Sequence, residues 1–191
     1  MGRYVTRNIS DDEAKQIIFY LENGYTHNGV KHRSNHQIAT IMKLQANLGC
    51  RIGDIVGLTT DEIYFDGKSW RLNMIEEKTG KKRWFSIPAG VIATIHEWMK
   101  HKGITSGRLF TIEEPAVWKQ MRAVTDFLGM ENVAPHSFRK AAGTRVYEAS
   151  GYDIVAASNF YNHSSTATTL IYLRRSPQQM DEIVSKAVID F

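Results

Sequence analysis

The sequence predicts an α+β fold that is mostly helical and carries one small antiparallel β-sheet. Apolar residues recur at helical spacing through most of the chain, then switch to strict alternation after Ser69. Glycine, proline and asparagine fall between these runs, where turns are needed. The 191 residues suffice for one domain with a sizeable core, or two small ones at most. A hydrophobic share of 42% with 23% charged residues excludes a disordered or fibrous chain.

The elements follow in order. Ser10-Asp11-Asp12-Glu13 is a capping box that opens a helix carrying Ile17, Ile18 and Leu21, and Gly24 stops it. Tyr25 to Asn35 reads as a polar, basic loop. A second helix runs from about Ser34 to Leu48, with Ile38, Ile41, Met42 and Gln45 on successive turns. Gly49 ends it, and Arg51 to Val56 starts a new helical turn. Trp70, Leu72 and Met74 then alternate with Arg71 and Asn73. Lys78-Thr79-Gly80-Lys81 turns the chain, and Arg83 to Ile87 returns, giving a β-hairpin with a cationic tip. Pro88 and Gly90 precede a helix with Ile92, Ile95 and Met99. Another covers Pro115 to Leu128, with Val117, Met121, Val124 and Leu128 in register. Beyond Pro135 the pattern is short helices split by Gly151, Asn162 and Ser176-Pro177. No internal repeat interrupts this order.

Composition narrows the function classes. Lysine and arginine exceed aspartate and glutamate by 24 − 20 = +4, which permits a nucleic-acid partner without requiring one. The single cysteine, Cys50, forbids an internal disulfide framework and fits a reducing, cytoplasmic setting. No apolar run is long enough to span a membrane; Val91 to Met99 is broken by His96 and Glu97. Met1 to Thr6 formally matches a myristoylation pattern, but Arg3 and Tyr4 make it a poor instance. Metal sites fail on spacing: His96 and His101 would lie about 500° apart around a helix, and His32 and His36 have no clustered ligands. No Gly-rich nucleotide loop exists, so no cofactor and no metal are expected.

Chemistry concentrates in a few places. Lys78, Lys81, Lys82 and Arg83 lie together beside Trp84 and Phe85, either as a cationic turn reaching for phosphates or as a solvated turn. In Pro135-His136-Ser137-Phe138-Arg139-Lys140, the spacing puts His136 and Arg139 on one face near a helix N-terminus, a good place for an anion. Asn162-His163-Ser164-Ser165 marks another helix start, and Tyr172 follows nine residues after His163. Asp54, three residues after Arg51, is placed to orient that guanidinium or to form a surface ion pair.

In this order, the local patterns resemble a known family. Leu48 to Leu58 resembles the first-arginine motif of the tyrosine recombinases, the phage-integrase family. Glu77 to Lys81 is similar to their hairpin-lysine motif, His136 to Arg145 to their HxxR box, and Tyr161 to Leu173 to their histidine and nucleophile segment. Each motif is weak alone, but six residues in order are specific, and the resemblance spans roughly residues 35 to 175. It implies a tyrosine-recombinase catalytic fold over residues 1–175 and the catalytic set Arg51, Lys78, His136, Arg139, His163 and Tyr172.

The roles it implies suit the residue types. Two guanidiniums, Arg51 and Arg139, grip the non-bridging oxygens of a DNA phosphodiester. Tyr172 attacks phosphorus, forms a 3′-phosphotyrosyl link and frees a 5′-hydroxyl. A phenol with pKa about 10 needs an acceptor, and His136 is expected to be that acceptor. Lys78 is expected to protonate the departing oxygen. His163 is expected to donate to a phosphate oxygen. The partner implied is double-stranded DNA, and the outcome is cutting and rejoining without ATP.

The chain departs from the family in three respects. Asn162 stands where glycine is usual before the second histidine, though Asn also tolerates left-handed backbone. Lys140 follows HxxR where many members carry His or Arg. Only 50 residues precede Arg51, leaving no room for the usual N-terminal DNA-binding domain; a minimal recombinase or a catalytic-domain fragment would both fit. Residues 176–191 form an expected C-terminal helix, with Ser176-Pro177 at its start and an apolar stripe of Met180, Ile183, Val184, Ala187 and Val188. That helix either packs on its own core or docks on a neighbouring subunit to build a homo-oligomer on DNA. Two further readings keep the fold: a DNA-binding regulator without strand exchange, and a type IB topoisomerase.

Overall fold

The computed structural model describes residues 6–173. The helix expected over residues 176–191, and with it the expected boundary after residue 175, lies outside them. The first helix, α1 (Asp11–Asn23), starts at the capping box: the Ser10 hydroxyl accepts from the Glu13 amide, and the Glu13 carboxylate accepts from the Ser10 amide. It ends at Gly24, whose positive φ of 73° lets the chain reverse.

The expected loop from Tyr25 to Asn35 is instead a small hairpin, β1 (Tyr25–His27) and β2 (Val30–His32). Asn28 and Gly29 both take positive φ, 48° and 76°, which is the tight two-residue turn that Asn-Gly favours. Tyr25 is sandwiched between the His32 ring and Phe127, with centroids 4.5 Å and 4.6 Å away. Aromatic stacking thus stabilises a strand pair too short to stand alone.

Helix α2 (His36–Leu48) begins two residues later than expected, because the side chain of Asn35 caps the Ile38 amide. It is the central element of the fold. Ile38, Ile41, Met42, Leu44 and Leu48 are fully buried, and α2 packs against α1 and against three later helices. These are α3 (Ile52–Val56), α4 (Ala89–Lys102) and α6 (Pro135–Ala149). Between α3 and α4 lies a three-stranded antiparallel sheet, β3 (Ile63–Phe65), β4 (Trp70–Ile75) and β5 (Lys82–Ser86). The β4–β5 hairpin was expected; β3 was not, because its three residues are too few to show alternation. Its Ile63 pairs with Leu72, which faces the core.

Helix α5 (Glu114–Phe127) buries Val117, Met121 and Val124, the stripe read from the sequence. The chain then forms α6, α7 (Ile154–Tyr161) and α8 (Thr166–Leu173), which pack on one another. Asn162 takes the left-handed conformation, φ 59° and ψ 36°, and separates α7 from α8. Among the described residues, no helix is long and apolar enough to cross a membrane.

Candidate active site

The end of α2 organises the site. The last carbonyls of a helix have no partner within it, and here arginines from distant segments supply the missing donors. Arg145 donates to the Ala46 carbonyl, Arg83 to that of Leu48 at 2.8 Å, and Arg139 to that of Gly49 at 2.6 Å. A second Arg139 nitrogen donates to the carbonyl of Tyr161, the last residue of α7, at 3.0 Å. The fully buried Arg139 guanidinium is therefore clamped between two helix C-termini, whose partial negative charge favours a cation. Its plane is fixed before any ligand arrives.

Arg51 is the N-cap residue of α3, just past Gly49. Its guanidinium meets Glu76 at 2.6 Å, and the Glu76 carboxylate is entirely buried. Glu76 also accepts from the Thr79 hydroxyl at 2.6 Å and faces Arg83 at 3.4 Å. Burial opposes its ionisation. The Thr79 and Arg51 hydrogen bonds, with the charges of Arg51 and Arg83, outweigh that and hold the carboxyl below its ordinary value. Asp54 does neither thing expected of it. It is buried, and one of its oxygens accepts from the Glu77 amide at 3.0 Å, pinning the hairpin to α3.

His136 opens α6 one residue after Pro135, one turn before Arg139. Burial comes first among the causes that push its pKa down to about 4, followed by the positive charges of Arg139, Lys140 and Arg51, then His163. His163 is pushed to about 4 likewise, by burial and then by Arg139 and Arg51, with Glu76 opposing and Lys81 adding to the shift. Both imidazoles are neutral at pH 7. His163 stacks on the Tyr161 ring, 5.0 Å between centroids and 17° between planes. Its Nδ1 is hydrogen bonded to the hydroxyl of Thr169 at 2.9 Å. Thr169 and Tyr172 are both on α8, one turn apart.

Arg51, Lys78 and His136 line one open groove of about 1340 Å³, which continues along α5 past Trp118 and Arg122. Lys78 stands exposed on the hairpin turn. Arg51, Arg139, His136 and His163 are thus brought within electrostatic range of one another, with Lys78 on the shared groove. Tyr172 is placed by its backbone in α8.

The cationic tip is not uniform. Arg83 is buried, Lys81 is engaged with the α7–α8 turn, and Trp84 is 53% exposed. Reading the motifs missed Glu76 and Thr169, and gave Lys81 and Arg83 only as members of the cationic turn. Glu76 and Arg83 had a signal: Leu72 and Met74 mark the inward face of β4, Glu76 continues that alternation one residue past its end, and Arg83 pairs with Met74. A carboxylate in an inward register position needs cations around it. Among the described residues no cluster of metal-ligating side chains exists.

The sequence and the fold are both similar to those of known proteins. The chain is 24% identical over 190 residues to tyrosine recombinase XerA of Pyrococcus horikoshii, covering 95% of this chain and 61% of that one. It is 26% identical over 156 residues to XerA of Pyrococcus furiosus, covering 77% and 53%. The chain therefore spans little more than half the length of these curated relatives. Among solved structures, that of XerA recombinase superposes with a TM-score of 0.72 at 18% identity, over all of this chain and 67% of that one. The catalytic domain of bacteriophage HP1 integrase superposes with a TM-score of 0.63 at 15% identity, over 94% of each chain. The phage integrase family profile matches residues 7–179, nearly the whole sequence, and the chain belongs to that family.

Proposed function

We propose that this chain is the catalytic domain of a site-specific DNA recombinase that cuts and rejoins strands through a 3′-phosphotyrosyl intermediate. The observation that carries the reading is the convergence of Arg51, Arg139 and two neutral imidazoles from segments far apart in sequence, with Arg51 and His136 lining one groove. A phosphodiester in that groove meets the Arg51 guanidinium, and the buried Arg139 cation behind it adds positive charge, so that together they stabilise a pentacoordinate phosphorus. The Tyr172 oxygen attacks phosphorus, and its proton passes to His136, neutral and able to accept it. The P–O5′ bond breaks as Lys78 gives a proton to O5′. His163, oriented through Nδ1 by Thr169, presents its other ring nitrogen to a phosphate oxygen. The link to Tyr172 conserves the bond energy, so a second 5′-hydroxyl can reverse the reaction.

Two relatives support DNA as the partner: XerH was solved bound to a palindromic difH substrate, and λ integrase as a dimer on a core site. Within this proposal the chain works as a homo-oligomer on DNA, with residues 176–191 as the docking segment. The test is incubation with a pool of nicked duplexes of varied sequence, followed by denaturing electrophoresis. A covalent protein–DNA adduct is expected, absent in Tyr172→Phe. A folded wild-type chain that forms no adduct across the pool would overturn the proposal.

A further inference from the structure

The turn that carries Lys78 is tied to the body on a side where no motif pointed. Lys81 crosses to the α7–α8 turn, where its ammonium donates to the Asn162 carbonyl at 3.3 Å and to the Ser164 hydroxyl. In return the Asn162 side-chain amide donates to the Lys82 carbonyl at 3.2 Å. Two of these bonds start from Lys81 and one from Asn162, and His163 lies between Asn162 and Ser164.

Left-handed backbone alone does not account for Asn162. Glycine would adopt φ 59° more easily, but it has no amide to reach the hairpin. Lys78, Thr79 and Gly80 are all exposed, and a lysine side chain has several free torsions, so the hairpin needs an external hold if its tip is to stay over a phosphate. On the opposite side, Glu76 supplies one such hold through Thr79.

We propose that Lys81 and Asn162 latch the β4–β5 hairpin to the α7–α8 turn, and that this latch sets the position from which Lys78 protonates the leaving O5′. Lys81 is thus a positioning residue, and the inference rests on the assignment of Lys78 as general acid given above. Because the latch grips both sides of His163, it places the phosphate-binding histidine and the proton donor in one frame.

The test uses the full chain and two nicked duplexes that differ only in the scissile bridging atom, 5′-oxygen or 5′-sulfur. A thiolate leaves without a proton, so sulfur removes the need for a general acid while keeping every demand on phosphate binding and on Tyr172. Lys81→Met is expected to slow single-turnover cleavage of the oxygen duplex roughly 10- to 100-fold, the penalty for a misplaced catalytic group. On the sulfur duplex it should stay within about threefold of wild type. Asn162→Gly, which keeps the turn but removes the amide, should show the same pattern at smaller amplitude, and Lys81→Arg should restore part of the rate. Equal slowing on both duplexes, or an unchanged rate on oxygen, would overturn the latch. Failure of the underlying assignment has its own signature: no wild-type adduct on either duplex, or a Lys78→Met variant slowed equally on both.

Discussion

Gly143 lies in the middle of α6, where alanine would ordinarily stabilise a helix by about 1 kcal/mol. The structure reverses that expectation. A Cβ on Gly143 would sit 1.9 Å from Cζ and 2.0 Å from the hydroxyl oxygen of Tyr161. Carbon atoms pack at about 3.5–4.0 Å, so the ring must retreat by well over an ångström. It has nowhere to go. Tyr161 is fully buried, its hydroxyl donates to the Lys140 carbonyl at 3.0 Å, its carbonyl holds Arg139, and its ring carries His163. Overpacking costs about 1–3 kcal/mol, and stranding the Tyr161 hydroxyl adds about 1–3 kcal/mol. Against the helix gain, a net loss of roughly 1–5 kcal/mol remains for Gly143→Ala. Urea unfolding monitored by circular dichroism reads it directly, as a lower midpoint at unchanged slope. In a Tyr161→Ala background the same substitution should become neutral or stabilising, since the obstacle is gone. A Gly143→Ala protein as stable as wild type would refute the reasoning, because the ring would then be free to move.

Other expectations concern charge. Glu76→Gln keeps shape but leaves Arg51 and the buried Arg83 without their shared carboxylate, and should cost about 3–5 kcal/mol in unfolding free energy. Because the Glu76 carboxyl is held below its ordinary value, its stabilisation is present above the unfolded pKa of 4.5 and fades as pH falls through the folded value. The variant should lack that acid limb in a stability–pH profile. For His136 and His163 the folded pKa of about 4 lies below the unfolded 6.5, so the unfolded chain binds more protons between those values. Stability should therefore fall as pH drops from 6.5 towards 4. NMR titration of the ring protons should show both imidazoles titrating near 4, moving upward when inorganic phosphate offsets the arginine charges. Titration of either at 6.5 in the free protein would contradict the buried, cation-flanked environment.

Where local chemistry decided an element, the sequence was a good guide. The capping box and Gly24 bound α1 to the residue, and the stripe of Val117, Met121 and Val124 marked the buried face of α5. The strands β1 and β2 escaped notice because their residues are polar; what holds them is Phe127, a stacking partner from the end of α5. The residues proposed as the catalytic set were legible as ordered motifs, since each motif is local. Its support was not. Asp54 satisfies a backbone amide of the hairpin instead of Arg51, and Lys81 finds the α7–α8 turn across the fold. Such partners are fixed by tertiary approach, which spacing along one segment does not encode.

The end of α2 has a consequence for how the protein reaches its native state. Its carbonyls wait for Arg83, Arg139 and Arg145, which arrive on β5 and α6 only after long stretches of chain have closed. Contacts of such high sequence separation form late in a folding reaction. The proposed phosphate-gripping geometry should therefore appear with the final docking of the hairpin and of α6, α7 and α8, not in any early local structure. A ligand that binds only the finished arrangement draws the whole domain toward it by mass action. Under the proposed function, DNA would then act on this chain as a folding partner, adding to its stability as the scissile phosphate is seated.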